Sequence, residues 1–428
     1  MHIKIDHIAK IEGHMGFTAD IAKGNVSQAR LDIQDGARLL EGILRDRHLN
    51  EVSQITARIC GICPVVHNLT SLKAIENALA IELPLQTILL RKLMMLGQII
   101  NSHALHLFFF SLSDFFGFDD DLKLIKKHPG RAQDALAIRE FGNALIEVIG
   151  GRSIHPLTPA VGGFLKLPDK ERLGKLFDKT ETVLVRTQRM AELFANLKYP
   201  SFVRSAPFTS LKNTREYAFY EGNIETSAGE SCQVTDFLEL IKKYQLQNSQ
   251  VKFQQYLGKP FMVGALSRLN NNAKQLSPTA LKSWRATKLI LPSFNPFHNI
   301  LAQAIELVHC VEESRFLLAK LLRQELNLAF VKEREKIVSS RLASLKNRSA
   351  NGVAAIEAPR GTLYYAYEIQ SNGFIKNCTI ITPTAQNLAR LERDLTEYLP
   401  GIIKQKHHEE KIKTLVRAYD PCITCAVH

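Results

Sequence analysis

The sequence predicts a mainly α fold with small β-sheets, an α+β chain, and three observations predict it. Apolar residues recur at helical spacing along most of the chain from Val66 onward. Period-two alternation is confined to residues 3–33 and 350–383, near the two ends of the sequence. No repeat, low-complexity tract or Gly/Ser/Pro-rich linker divides the 428 residues. The expected organisation is therefore one domain over 1–428. It has strands and a first cysteine motif in 1–65, helices in 66–345, and a strand-and-loop region with a second cysteine motif in 346–428.

Taken in order, His2 to Asp6, Gly16 to Ile21 and Val26 to Ile33 read as strands, with Gly24-Asn25 as the turn before the last. Helices are expected over 66–80, 85–116, 132–148, 170–197, 233–244, 297–341, 384–397 and 408–418. Leu301, Ile305, Val308, Val311, Phe316, Leu317 and Leu321 form an apolar stripe on the longest of them, suited to a helix-bundle core. The most hydrophobic segment, Leu93 to Phe118, is interrupted by Gln98, Asn101, His103, His106 and Asp114. A lipid-spanning helix rarely tolerates such a set, so a helix buried inside protein is expected, with no membrane span.

Composition excludes less than it allows. Hydrophobic residues make up 45% and charged residues 23%, ordinary for a globular protein. The net charge is +13, but the basic residues are scattered. Their densest run, Lys404 to Lys413, also holds Glu409 and Glu410 and reads as a solvated helix face, not a nucleic-acid stripe. The first residues alternate like a strand and lack the apolar run of a signal peptide, so a cytoplasmic location is expected.

Seven cysteines, an odd number in a long chain, do not suggest a disulfide framework. Four fall into two Cys-x-x-Cys pairs. The first lies in Arg58-Ile-Cys60-Gly-Ile-Cys63-Pro-Val-Val-His67, and the second in Asp420-Pro-Cys422-Ile-Thr-Cys425-Ala-Val-His428. Such a loop lets two thiolates converge on one metal ion. Cysteine ionises near a pH of about 8.5, so four converging thiolates repel one another unless cations sit among them. The spacing alone leaves a nickel or iron centre, a structural zinc clip and an iron–sulfur cluster open.

The two motifs together are similar to the paired signature of nickel-iron hydrogenase large subunits. Other segments resemble that family in the same order. They are Lys10-Ile-Glu12-Gly-His14, the glycine-rich Gly150-Gly-Arg152-Ser-Ile-His155-Pro156, Glu357-Ala-Pro359-Arg360-Gly361, and Ile380-Ile-Thr-Pro383-Thr384. The resemblance spans the whole chain and implies that family's fold, with a long central helix bundle. It implies reversible heterolytic cleavage of dihydrogen, with Cys60 and Cys422 as terminal nickel ligands and Cys63 and Cys425 bridging nickel to iron. Soft thiolates suit both metals. In the family, iron also carries one carbon monoxide and two cyanides. The ligand charge then exceeds that of two divalent metals, and Arg360 next to Pro359 would offset it.

By the same resemblance, Thr384 would donate to a cyanide and His67 would hydrogen-bond a cysteine sulfur. Asp114 and Asp420 would be carboxylates close to the metals. Glu12 would take on the proton first received by Cys425 or Cys422. His428 would hold a magnesium ion with Glu41 and a backbone carbonyl, here that of Ile380. Departures from the family are Lys10 in place of arginine and Tyr364-Tyr365 in place of His-Trp. Cys232, Cys310 and Cys378 match no motif and read as buried structural thiols.

Around Gln98 to Asp119 the chain is similar to cytoplasmic, NAD(P)-linked bidirectional hydrogenases. It has no dinucleotide fingerprint and too few spare cysteines for iron–sulfur clusters. The resemblance thus implies an iron–sulfur small subunit joined over an interface of roughly 2,000 Å² or more. It also implies diaphorase-type or other electron-transfer subunits, and a maturation protease and nickel chaperones acting on the chain. The rival reading is a structural subunit of a redox complex, metal-free or zinc-bound.

Overall fold

The computed structural model describes residues 2–22, 25–118, 120–245 and 251–427. The expected Gly24 turn and the residues Asp119 and His428 lie outside the described residues.

His2–Ile5, Met15–Ala22 and Asn25–Ile33 form an antiparallel sheet in sequence order. Ile5 pairs with Phe17, and Phe17 with Leu31. The period-two alternation therefore puts these three, with Ile3, Met15 and Ala19, on one buried face. That face packs on the Pro383–Ile402 helix, whose Glu392 carboxylate accepts the Leu31 N–H at 2.9 Å.

The centre is a set of long packed helices: Pro64–Ala78, Leu85–Leu105, Pro129–Gly150, Lys170–Ala195 and His298–Leu322. Leu85–Leu105 and Pro129–Gly150 cross at Gly97 and Gly142. A Cβ on either would lie 2.7 Å from the other's carbonyl oxygen, so only glycine permits the contact. The expected helix over 85–116 is helical throughout, but His106–Ser111 forms a π turn before the chain resumes as Leu112–Phe116. This stretch is long and apolar enough to cross a membrane, yet 78% of its most apolar window is buried inside the protein, so it is a core helix.

Near the C-terminus Ala350–Ala358, Gly361–Ile369 and Ile375–Ile381 form an antiparallel meander. Ala358 pairs with Gly361, so Pro359-Arg360 is a two-residue hairpin turn. Gly361 sits at φ +131°, and a Cβ there would lie 2.4 Å from Val263. The turn therefore depends on glycine.

Several expectations are corrected. The helix expected over 233–244 stops after Val234–Leu240, because Ile241–Gln245 pairs with Lys252–Tyr256 as a hairpin. Cross-strand pairing there overrides a helical pattern. The helix expected over 297–341 is two helices, His298–Leu322 and Ala329–Ser344. Between them the Asn327 side chain accepts the Ala329 N–H at 2.9 Å and its own N–H goes to Gln86, which starts a new helix. Phe316 leaves the apolar stripe and is 49% exposed. Shorter elements that the periodicity did not indicate include Leu40–Leu44, Leu49–Thr56, Ala265–Asn272 and the sheet of Thr209–Lys212 with Asn223–Thr226.

Candidate metal centre

Cys63 precedes the Pro64–Ala78 helix, and Pro64 at its first position needs no N–H partner. Cys60 lies in the loop before it. Cys422 caps the single turn Ile423–Ala426, and Cys425 lies within it. The fold brings all four sulfurs within 4.8 Å of one another, and all are buried. Cys60 Sγ lies 3.6 Å from Cys422 Sγ, and Cys63 Sγ 3.3 Å from Cys425 Sγ, so each close pair joins the two motifs.

The crowding has the electrostatic consequence expected from the sequence. Hydrogen bonds from the neighbouring thiols hold Cys60 well below the ordinary thiol range, with the Arg360 charge adding to them. Burial first, and then the neighbouring sulfurs, pushes Cys422 well above it, and the neighbouring thiols do the same to Cys425. One thiolate is tolerated; four are tolerated only around cations.

Facing the sulfurs is a small cavity of about 10 Å³ lined by Cys63, His67, Pro359, Arg360, Thr384 and Cys422, among others. Arg360 enters on its hairpin turn. Its Nη2 donates to Asp420 Oδ1 at 2.8 Å and its Nε to the Asp420 carbonyl at 2.7 Å. Its Nη1 is buried and has no hydrogen-bond partner among the described residues. An orphaned guanidinium donor beside four sulfurs is the chemistry an anionic ligand of a metal would satisfy. Thr384 Oγ1 accepts the Cys422 N–H at 3.0 Å, which leaves its own proton to donate elsewhere. His67 Nε2 lies 3.6 Å from Cys425 Sγ, with Nδ1 2.8 Å from the Tyr365 hydroxyl.

Glu12 lies against the C-terminal segment by backbone and side chain. Its carbonyl accepts the Ile423 N–H at 2.8 Å, and its N–H reaches the Pro421 carbonyl at 3.4 Å. Oε2 is 2.9 Å from Cys422 Sγ, while Oε1 accepts the Thr424 hydroxyl at 2.5 Å. Gly13, at φ +86°, follows; a Cβ there would lie 2.6 Å from Asp35 Oδ2 and 2.8 Å from Ile423 Cβ. The half-buried carboxylate is thus held between a sulfur and the protein exterior.

Some residues that the sequence reading singled out lie elsewhere. Asp114 does not line the cavity; it is half-buried and accepts a hydrogen bond from Arg417. Lys10 ties the loop before Glu12 to Asp121 and Ser113, each at 2.7 Å. Glu41 and Ile380 do meet: Glu41 Oε1 accepts the Ile380 N–H at 2.9 Å. However, Lys252 Nζ sits 3.1 Å from Oε2 and Lys243 Nζ 3.9 Å from Oε1. Burial opposes the Glu41 charge, but the Ile380 N–H and the two ammonium groups outweigh it and hold the carboxyl below its usual range. As they stand these residues fit a lysine, and a divalent cation would have to displace Lys252. Cys310 and Cys378 are buried as expected, whereas Cys232 is only half-buried.

Four contributors were not identified from the sequence. Arg38 Nη2 donates to the carbonyls of both Ile59 and Thr424, so it joins the two cysteine loops. Thr424 holds Glu12. Gln303 Nε2 donates to Asp420 Oδ2 at 3.1 Å. Arg268, fully buried, donates to the Ala358 and Pro359 carbonyls at 2.9 and 3.0 Å and so fixes the turn that carries Arg360. It is itself held by Glu306 at 2.7 Å and Glu357 at 3.1 Å. A signal existed: Gln303 and Glu306 interrupt an apolar helix stripe, and buried polar groups need partners.

Comparison with known proteins follows the same lines. The profile of the nickel-dependent hydrogenase family matches residues 38–137 and 194–428. The alpha chain of sulfhydrogenase 1 from Pyrococcus furiosus is 36% identical over 436 residues, covering 100% of this chain and 97% of that one. The alpha chain of sulfhydrogenase 2 from the same organism is 33% identical over 431 residues, covering 100% and 99%. Among solved structures, an NAD+-reducing [NiFe]-hydrogenase in the H2-reduced state superposes with a TM-score of 0.85 at 25% identity, covering 100% and 99%. The reduced Ni-Fe-Se hydrogenase of Desulfomicrobium baculatum does so at 0.74 and 20% identity, covering all of both chains, a likeness of fold.

Proposed function

The chain belongs to the nickel-dependent hydrogenase family and is a large subunit with the Ni-Fe active site, and from that premise we propose which residues run the cleavage of dihydrogen and where the electrons go. The observation that carries the reading is the orphaned Arg360 Nη1 beside four sulfurs within 4.8 Å of one another.

Cys60 and Cys422 would hold nickel, and Cys63 and Cys425 would be shared between it and an iron that would carry one carbon monoxide and two cyanides. The bound metals supply Lewis-acid polarisation of dihydrogen. The protein supplies the rest. Arg360 Nη1 and the Thr384 hydroxyl would donate to the cyanides, and the guanidinium would offset the excess negative charge. Pro359 and Leu363 keep that side of the cavity apolar. The Cys422 sulfur hands its proton to Glu12 Oε2, 2.9 Å away. Thr424 fixes the carboxylate and opens towards the exterior, so a proton can leave without crossing the core. Asp420 orients Arg360, and Asp114 acts at one remove through Arg417. Glu41, the Ile380 carbonyl and His428 would hold magnesium only if Lys252 were displaced.

Electrons leave through an iron–sulfur small subunit, because the three remaining cysteines are separated in sequence and match no cluster motif. From there they pass through diaphorase-type subunits to NAD(P) or a similar soluble acceptor, in a cytoplasmic complex. A maturation protease and nickel chaperones prepare the chain. A zinc-bound structural subunit would leave Glu12 on Cys422 and the free Arg360 donor unexplained.

Elemental analysis and infrared spectroscopy of the purified native complex test the reading. Nickel and iron at one each in the large subunit, with carbon monoxide and cyanide bands, are expected. Zinc alone, or neither metal and no such bands in matured protein, refutes it. Magnesium that is absent from the complex and leaves stability unchanged when added refutes the Glu41 assignment.

A further inference from the structure

Each cysteine loop is tied to the folded body from its own side. In the first, Gln98 accepts the Val65 N–H at 3.1 Å and donates to the Ile62 carbonyl, and His155 Nδ1 lies 2.8 Å from the Ala57 carbonyl. In the second, the Glu12 carbonyl and the Thr384 hydroxyl take the N–H groups of Ile423 and Cys422. Neither set of ties reaches the other loop. Between the loops lies a side chain that the proposed mechanism does not use. Arg38 Nη2 donates to the Ile59 carbonyl and, at 2.6 Å, to the Thr424 carbonyl. Among the described residues no other side chain hydrogen-bonds the backbone of both loops.

The bridge is specific in its geometry. An Nη nitrogen carries two protons, so each carbonyl takes one. Ile59 immediately precedes Cys60, and Thr424 immediately precedes Cys425. The close sulfur pairs are Cys60 with Cys422 and Cys63 with Cys425. The guanidinium therefore grips the chain at one cysteine of each close pair, and so holds one pair against the other. Its other nitrogens do not compete: Nε is buried and has no partner among the described residues, and no described carboxylate pairs with the guanidinium. A further tie comes from the backbone, where the Arg38 N–H donates to the Val427 carbonyl at 3.1 Å. We propose that Arg38 is a positioning residue of the metal centre, whose guanidinium sets the separation of the two sulfur pairs.

The chain around Arg38 agrees. Leu39 is left-handed at φ 50° and 72% exposed, a conformation that a leucine rarely adopts and that no packing rewards here. Such strain persists where contacts on both sides over-determine it. Arg38 is fixed on one side, and on the other Glu41 accepts the Ile380 N–H at 2.9 Å. The two arginines near the sulfurs thus have separate tasks. Arg360 lines the cavity beside them. Arg38 reaches backbone carbonyls and acts on the sulfurs through the chain. Lysine cannot replace it unchanged, because its one nitrogen ends a bond short of an Nη and lacks the planar fork.

This role rests on the Ni-Fe reading, and its test uses the purified native complex. In Arg38→Met, metal affinity should fall about 10–100-fold, the range for groups that orient metal ligands from behind; nickel retained against a chelator reads it. In the fraction that keeps its metals, the carbon monoxide and cyanide bands should shift or broaden, because the sulfurs are no longer held at one separation. Nickel retained as in the parent, or bands unchanged in position and width, overturns the proposal. Hydrogen exchange adds a readout that needs no metal: the Cys422 and Ile423 amides should exchange faster in the variant, and equal rates overturn the proposal. Where Arg38→Met does not fold, Arg38→Lys carries all three measurements in the same direction. Absence of nickel and of such bands in the unsubstituted complex refutes the metal reading instead, and the exchange rates still decide whether Arg38 joins the two loops.

Discussion

Replacing Arg268 by methionine should destabilise the protein more than any change at an exposed arginine. The side chain is fully buried, and its guanidinium makes five contacts. Two go to Glu306 at 2.7 Å, one to Glu357 at 3.1 Å, and two to the carbonyls of Ala358 and Pro359 at 2.9 and 3.0 Å. Methionine fills much of the volume but leaves two carboxylates fully buried. Burial works against the Glu306 charge, and Arg268 more than offsets it, holding the carboxyl down at about 2. Removing one partner of such a pair costs about 3–5 kcal/mol, a large part of a total of about 5–15 kcal/mol. At about 2.1 cal/mol/K per residue, this lowers the melting temperature by roughly 3–6 °C if the chain unfolds as one unit. Thermal unfolding of the purified complex reads the effect. Glu306→Gln added to Arg268→Met should recover part of the loss, because the uncompensated charge is gone; a double-mutant cycle measures this coupling. A single variant that melts within about 1 °C of the parent, or a cycle with no coupling, would refute the reasoning from buried charge.

Other perturbations probe the proton route, the sheet contacts and the pH response. Glu12→Gln keeps the shape beside Cys422 but cannot take up a proton. Dihydrogen oxidation should fall about 10²–10⁴-fold with nickel content unchanged, and a variant keeping a tenth of its activity would place the route elsewhere. Glu392 is pushed up to about 7 by burial, against the pull of the Leu31 N–H and Arg30. Its folded form holds a proton that the unfolded form releases near a pH of about 4.3, so stability should fall as pH rises from there to about 7. Denaturation midpoints measured across that window should flatten in Glu392→Gln; an unaltered slope rejects the assignment. Gly352→Val should prevent the Ala350–Ala358 strand from seating on the Pro64–Ala78 helix, since even a Cβ would lie 2.2 Å from the Ala74 carbonyl. Soluble, metal-loaded protein at the parent's yield would contradict that contact.

What the sequence made legible was whatever is local. Each Cys-x-x-Cys pair, the period-two strands at the N-terminus and the long apolar helices declare themselves within a few residues of chain. The hairpin around Tyr244 and Phe253 did not, because Phe237, Leu240, Ile241 and Tyr244 also suit a helix face and only the partner strand decides. The break before Ala329 turns on one Asn327 side-chain hydrogen bond. Glu12, Arg360 and Thr384 were found through resemblance to a family, since no local pattern marks a half-buried glutamate as a partner of a cysteine more than 400 residues away. Arg268 and Gln303 escaped for the same reason: their partners are remote, and their sequence neighbourhoods are ordinary.

That remoteness bears on how the centre comes to exist. The close sulfur pairs join residues 362 apart, and the segment Pro421–Val427 has one short turn of its own. Its backbone groups are satisfied from outside: Ile423 N–H by Glu12, Cys422 N–H by Thr384, the Thr424 and Val427 carbonyls by Arg38. A segment with so few internal hydrogen bonds gains stability only by docking on a body already folded. Cys60, Cys63, Arg360 and Thr384 belong to that body, on elements packed into the main core. Half of the sulfur donors, with the cationic donor opposite, are therefore positioned before Cys422 and Cys425 arrive. Because four thiolates repel without cations, metal held by the first pair would favour docking of the last segment, whose thiolates would in turn complete the metal's donor set. Metal loading and closure of the C-terminus are then one coupled step.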